Sequence, residues 1–152
     1  MSRAVAGPIV VFRRVAVAEA VTWALLLAGM FLKYVTDTTE LGVSLAGPLH
    51  GVAFVAYCVS AVVVAVDQRW SAGRLLLGLA ASVPPFATIA FDRYAESRGA
   101  LAREWRLVVG APVTAADRVV APLLRRPLVG LLVAVVVVAV LTGLALLIGP
   151  PG

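Results

Sequence analysis

Chemistry-bearing side chains are scarce in this chain. Of its 152 residues only 14% are charged, one is cysteine and one is histidine. The single cysteine, Cys58, excludes an internal disulfide and any multi-cysteine metal site. It lies among Val and Ala, where cysteine behaves as a small hydrophobe. The lone histidine, His50, has no Cys, Glu or second His at ligand spacing, which makes a poor metal site. No nucleophile–base pair or phosphate-cradling glycine loop occurs, so an enzyme is disfavoured and no catalytic residue, cofactor or metal is expected. Zinc knuckles, aromatic–basic RNA faces and helix-turn-helix patterns are missing too, and nucleic acid is not an expected partner.

Apolar residues are abundant instead. They make up 62% of the chain at a mean hydropathy of +1.02, whereas a soluble domain carries about 45–50% apolar and about 25% charged residues. They are arranged in long blocks, which predicts an all-α membrane protein. A hydrocarbon core of ~30 Å needs about 20 helical residues, and four blocks approach that length: 15–34, 47–66 opening on Pro48, 74–91 carrying Pro84-Pro85, and 128–148. The first block is too long for a signal-peptide core and "GMFLKYV" offers no cleavage site, so it reads as a retained anchor. The expected organisation is a three-helix core over 1–94, an arginine-rich amphipathic connector over 95–127, and a C-terminal transmembrane helix with tail over 128–152. The length leaves no room for a separate soluble enzyme domain.

The net charge of +5 comes from 12 Arg and one Lys against eight acids. The basic residues lie between apolar blocks, where cytoplasmic loops and anionic headgroups account for them. If all four blocks cross, the basic residues divide five against eight: three before the first block and two between the second and third, against Lys33 and seven between the third and fourth. That is no clean positive-inside pattern. If block three instead breaks at its proline pair and does not cross, twelve fall on one side and one on the other. Four crossings are expected, because 18 residues reach ~27 Å and proline-kinked spans are common.

In the connector, "DRYAESRGALAREWRLVV" places Tyr94, Leu101, Trp105 and Val108 on one helical face, the pattern of an interfacial helix. The alternative is a solvated juxtamembrane loop. Thr114 and Asp117 stand at capping-box spacing, with Asp replacing the usual Glu, so a second short helix is expected to lead into block four.

Charges in hydrocarbon cost about 2.5–3.5 kcal/mol at mid-depth on insertion scales, so Glu19, Lys33 and His50 need reasons. Glu19 lies about one turn inside block one, near Arg13 and Arg14. Lys33 is expected to snorkel, with Asp37 as a partner. Glu19 and Lys33 share a helix face ~21 Å apart and mark a stripe that avoids lipid. Three residues into an antiparallel block two, His50 is expected level with residue 32, close to Lys33. Gly47 and Gly51 would let another helix approach, and Tyr57, Pro84 and Pro85 are expected at helix contacts.

The strings "RRVAVAEAVTWALLLAGMFLKY", "GPLHGVAFVAY", "RW" and "VPPFATIAFDR" resemble a family of small, uncharacterised bacterial integral-membrane proteins marked by a His-Gly pair at the start of the second helix. The resemblance covers about residues 12–94 and rests on Arg13, Arg14, Glu19, Lys33, Tyr34, His50, Gly51, Tyr57, Pro85 and Phe86. Ala20 stands where the family usually has glycine. The resemblance implies a three-helix core with the fourth block appended, and a domain of unknown function. The expected role is an accessory or interaction component of the bacterial cytoplasmic membrane, multi-pass, whose partners are the bilayer and a homo-oligomer or larger membrane protein. The alternative is a proton-linked transport or sensing component using Glu19 and His50.

Overall fold

The computed structural model describes residues 6–149, and every regular element among them is helical. Three helices are long and apolar enough to cross a membrane: α1 (Pro8–Tyr34), α2 (Leu41–Asp67) and, after four shorter helices, α7 (Pro127–Ile148). Between them lie α3 (Ala72–Ala80), α4 (Ala87–Ser97), α5 (Arg106–Val109) and α6 (Ala115–Arg125). The chain is thus a multi-pass, all-α membrane protein.

α1 and α2 begin six or seven residues earlier than their apolar blocks. Pro8 takes the first turn of α1, where its missing N–H is no loss. Arg13 and Arg14 therefore lie inside the helix. Pro48 does not open α2 but sits within it, one turn past the Ser44 hydroxyl that bonds the Leu41 carbonyl.

Block three departs most from expectation. Residues 74–91 do not form one helix; α3 ends at Ala80, and a turn holding Pro84 and Pro85 leads to α4. Phe86, in the left-handed region at φ 64°, reverses the chain. Helices of nine and eleven residues reach only ~14 and ~17 Å, so this segment is a helix–turn–helix packed on the core rather than a single span. The proline pair supplies the reason, since it removes two ladder donors and forces the residue before it out of α geometry.

The connector also differs. α4 runs through residue 94 to Ser97, and no continuous helix joins Tyr94 to Val108. Leu101 and Trp105 are buried in the core while Tyr94 and Val108 stay partly exposed, so they do not share one membrane-facing side. The expected capping box does form: Thr114 Oγ1 accepts from the Asp117 N–H, and Asp117 returns the bond to the Thr114 N–H.

Lipid tails are as apolar as leucine, so helices in a bilayer are held by close packing and internal polar bonds. Both are present. A Cβ on Gly29 would lie 2.6 Å from the Gly42 carbonyl carbon, so these two backbones touch where α1 meets α2. At the other end, Phe12 packs against Tyr57, Trp70 and Phe91 with ring centroids 5.3–6.1 Å apart. Such pairs each add roughly 0.5–1.5 kcal/mol beyond burial, and this group pins α1, α2 and α4 together. Trp70 and Trp105 donate to the carbonyls of Ala100 and Ala6, which ties the connector beneath the bundle.

Candidate functional site

The Gly29–Gly42 contact sets which residues of α1 and α2 meet. Counting eight residues on from Gly42 reaches His50; counting eight back from Gly29 reaches Val21, beside Thr22. The structure accordingly places His50 Nδ1 3.1 Å from Thr22 Oγ1, with its ring 4.5 Å from that of Trp23. Thr22 donates to the Glu19 carbonyl at 2.8 Å, so the Nδ1 contact makes Nδ1 the donor to the threonine oxygen.

One turn along, the Glu19 side chain turns towards α4. Thr88 Oγ1 donates to Glu19 Oε2 at 2.6 Å and lies 3.2 Å from the Ala16 carbonyl. Glu19 and Thr88 are both 0% exposed. Asp92, one turn further on α4 and 2% exposed, accepts from Arg13 Nε at 3.0 Å, and the same guanidinium reaches Glu96. The side chains of α1 that avoid lipid therefore meet α4 and α2 in one continuous polar seam: Arg13–Asp92–Glu96, then Glu19–Thr88, then Thr22–His50.

The seam is under-satisfied. Glu19 Oε1, Asp92 Oδ1 and the Trp23 indole N–H are buried without a partner among the described residues. Arg13 faces two acids, and Glu19 has only a hydroxyl, so the seam carries more acid than base. Chemically it can hold a proton on a carboxyl and fix helix positions by hydrogen bonds. Because α1 starts at Pro8, Glu19 lies about three turns into the helix rather than one, and is near its middle.

The candidate residues separate into two groups. Glu19 and His50, expected near opposite faces, come together within about a turn. Lys33 stays at the far end of α1, where Nζ lies 3.4 Å from Glu40, not Asp37, whose backbone is in the left-handed region. The expected closeness of His50 and Lys33 fails because α2 begins at Leu41 and carries His50 deeper. Gly47 and Gly51 meet nothing: a Cβ on either finds open space, and the close approach belongs to Gly29 and Gly42. Tyr57 is fully buried, and its hydroxyl donates to the Gly78 carbonyl at 3.0 Å. Thr22, Thr88 and Asp92 escaped the sequence reading. Thr22 stands one helical turn from Glu19, the spacing that flags it; Thr88 and Asp92 are 69 and 79 residues from their partners, and no local pattern marks them.

A second polar group closes the base of the bundle. Asp67, fully buried at the end of α2, accepts from the backbone N–H groups of Arg106 and Leu107 and so caps α5. Arg106 donates in return to the terminal carbonyls of α2 at Val66 and Asp67, and to Asp117 at 2.6 Å. The Arg106 bond, with the N–H groups of Val113 and Thr114, holds the Asp117 carboxyl well below the usual carboxylate range. Arg125 donates to the carbonyls of Leu107 and Gly110, so α5 and α6 form one folded cap.

Residues 9–97 match the model of a family described as a domain of unknown function, DUF3817. A candidate membrane protein of Streptomyces coelicolor is 52% identical over 91 residues, which are 59% of this chain and 11% of that protein. The chain thus spans about a tenth of the length of the curated relative it matches. No solved structure matches it.

Proposed function

This chain belongs to the family of the domain of unknown function DUF3817, and on that premise we propose that it is an interaction module of the bacterial cytoplasmic membrane whose polar seam locks its helices together. The observation that carries this reading is the sealing of the seam at its centre, where Glu19 meets Thr88. Glu19 and Thr88 have no exposed surface, whereas a transport path needs water to reach its titrating groups. With the polar groups turned inward, α1, α2 and α7 are left with broad apolar outer faces for lipid and for other membrane segments. The placing of a closely similar segment within a much longer relative also supports a module that works attached to, or beside, other parts.

The positive-inside rule supports an orientation. With α1, α2 and α7 as the crossings, Lys33 is alone near the α1–α2 connector and the other twelve basic residues fall on the opposite side. That side, with the segment between α2 and α7, is the cytoplasmic one. The α1–α2 connector faces out.

Purification from native membranes in mild detergent tests the role. A reproducible complex larger than one chain is expected. A lone chain that conducts protons after reconstitution would overturn the reading.

A second reading, proton-linked transport or sensing, is favoured by one observation: Glu19 Oε1 is buried without a hydrogen-bond partner among the described residues. It requires proton flux through vesicles holding the purified chain, abolished by Glu19→Gln.

A further inference from the structure

Beside the seam, on the other side of α2, lies a groove of about 440 Å³, within the roughly 300–1,000 Å³ of small-molecule sites. Its walls include Val59 and Val63 of α2, Trp105, Leu124 of α6, and Val133 and Val137 of α7. We infer that this groove binds one acyl chain of an anionic phospholipid, whose headgroup is held by Arg126 and Arg14 at its mouth.

The groove's position selects the occupant. It opens between two helices long and apolar enough to span the membrane, and Ser60 brings its one hydroxyl side chain. An apolar cavity stays dry and takes apolar guests. The polar end lies on the side that holds twelve of the thirteen basic residues. Arg126 directly precedes the lining residue Pro127, and Arg14 stands one turn from the lining residue Val11. Both arginines are exposed, and neither side chain has a partner among the described residues. Arg125 is different: its guanidinium is spent on the carbonyls of Leu107 and Gly110. Two unspent guanidinium groups next to an apolar slot complement a lipid phosphate above its acyl chain.

The groove also has a structural use. α7 contains no buried residue and rests on the core through α2 and α6. An acyl chain between α2 and α7 supplies the packing that this helix lacks. Trp105, α6 and α7 lie outside the stretch that matches the family, residues 9–97. The site is therefore a property of this chain's C-terminal part placed against the family core.

The test is a titration of the full chain in detergent with phosphatidylglycerol carrying brominated acyl chains, read by tryptophan fluorescence, since Trp105 lines the groove. Saturable quenching at a single lipid per chain is expected, with brominated phosphatidylcholine needing at least roughly tenfold more. Ala134→Phe, which fills the groove, should abolish the saturable phase. Arg14→Gln combined with Arg126→Gln should keep the phase and erase the preference for the anionic lipid. Unsaturable quenching by both lipids, or a phase that survives Ala134→Phe in a folded chain, overturns the proposal. If Ala134→Phe does not fold, native mass spectrometry of the wild type decides. Retained phosphatidylglycerol supports the site, and equal retention of phosphatidylcholine overturns it.

Discussion

Gly29 and Gly42 hold α1 and α2 at backbone contact, and that one approach decides where every polar residue of the two helices lands. A Cβ on Gly42 would lie 2.7 Å from the Gly29 Cα, with no flexible side chain there to give way. The register so fixed carries His50 to Thr22 and away from Lys33.

Gly29→Leu should separate the helices and cost roughly 1–3 kcal/mol or more, the range for overpacking a tight site. Gly47→Ala and Gly51→Ala fill open space, and should be neutral or stabilising by up to about 1 kcal/mol, since alanine outranks glycine in helices. Thermal unfolding in one detergent compares them. A Gly47→Ala variant as damaged as Gly29→Leu would contradict the assigned contact.

His50→Ala removes the Thr22 bond and the ring packing on Trp23. In membranes such bonds average about 0.6 and reach about 1.7 kcal/mol, so a loss in that range is expected. Thr22→Val in the same background should add little, because the two residues share the bond. Additive losses in this double-mutant cycle would show that the bond is not formed.

Asp117 supplies the pH dependence. Its folded carboxyl titrates below the unfolded value of ~3.9, because Arg106 and two backbone N–H groups favour the charged form. Its contribution is therefore fully present above about pH 4 and is lost as pH falls towards the folded value. Melting curves of wild type and Asp117→Asn should differ from pH 6 down to about pH 4 and converge below it. A gap that stays constant to pH 3 would contradict this.

Orientation has its own test. In a Cys58→Ser background, Thr39→Cys should react with a membrane-impermeant maleimide on intact cells, and Arg98→Cys should react only after lysis. The reverse pattern would invert the topology drawn from the twelve-to-one division of basic residues.

How much of this was legible in the sequence depends on how far apart the interacting residues lie. Apolar runs long enough for bilayer helices gave α1, α2 and α7, and Thr114 with Asp117 marked α6, because a capping box is local. The start of α1 was hidden by Arg13 and Arg14, which hydropathy excludes. Arg13 is tolerated because Asp92 and Glu96 neutralise it from α4, about eighty residues away. Pro48 read as a helix start, yet α2 begins seven residues earlier; His50 accordingly meets Thr22 rather than residue 32, nearly three turns further along α1. Pro84-Pro85 signalled a break, but apolar length argued for a span, and the break prevailed. Glu19 and His50 were visible as costly residues in lipid. Their convergence was not, since it follows from a glycine pair no longer or more apolar than its surroundings.

The central claim is that the seam around Glu19 fixes the helices, and one stability comparison bears on it most directly. Thr88→Val takes away the 2.6 Å bond that the Thr88 hydroxyl donates to the Glu19 carboxylate. It should cost about 1–3 kcal/mol, as a buried polar group left without a partner does. Glu19→Gln keeps an acceptor for Thr88 and should stay within about 1 kcal/mol of wild type. If both variants instead unfold at or above the wild-type temperature, the carboxyl is kept at a cost to stability, as functional residues are, and the locking role is wrong.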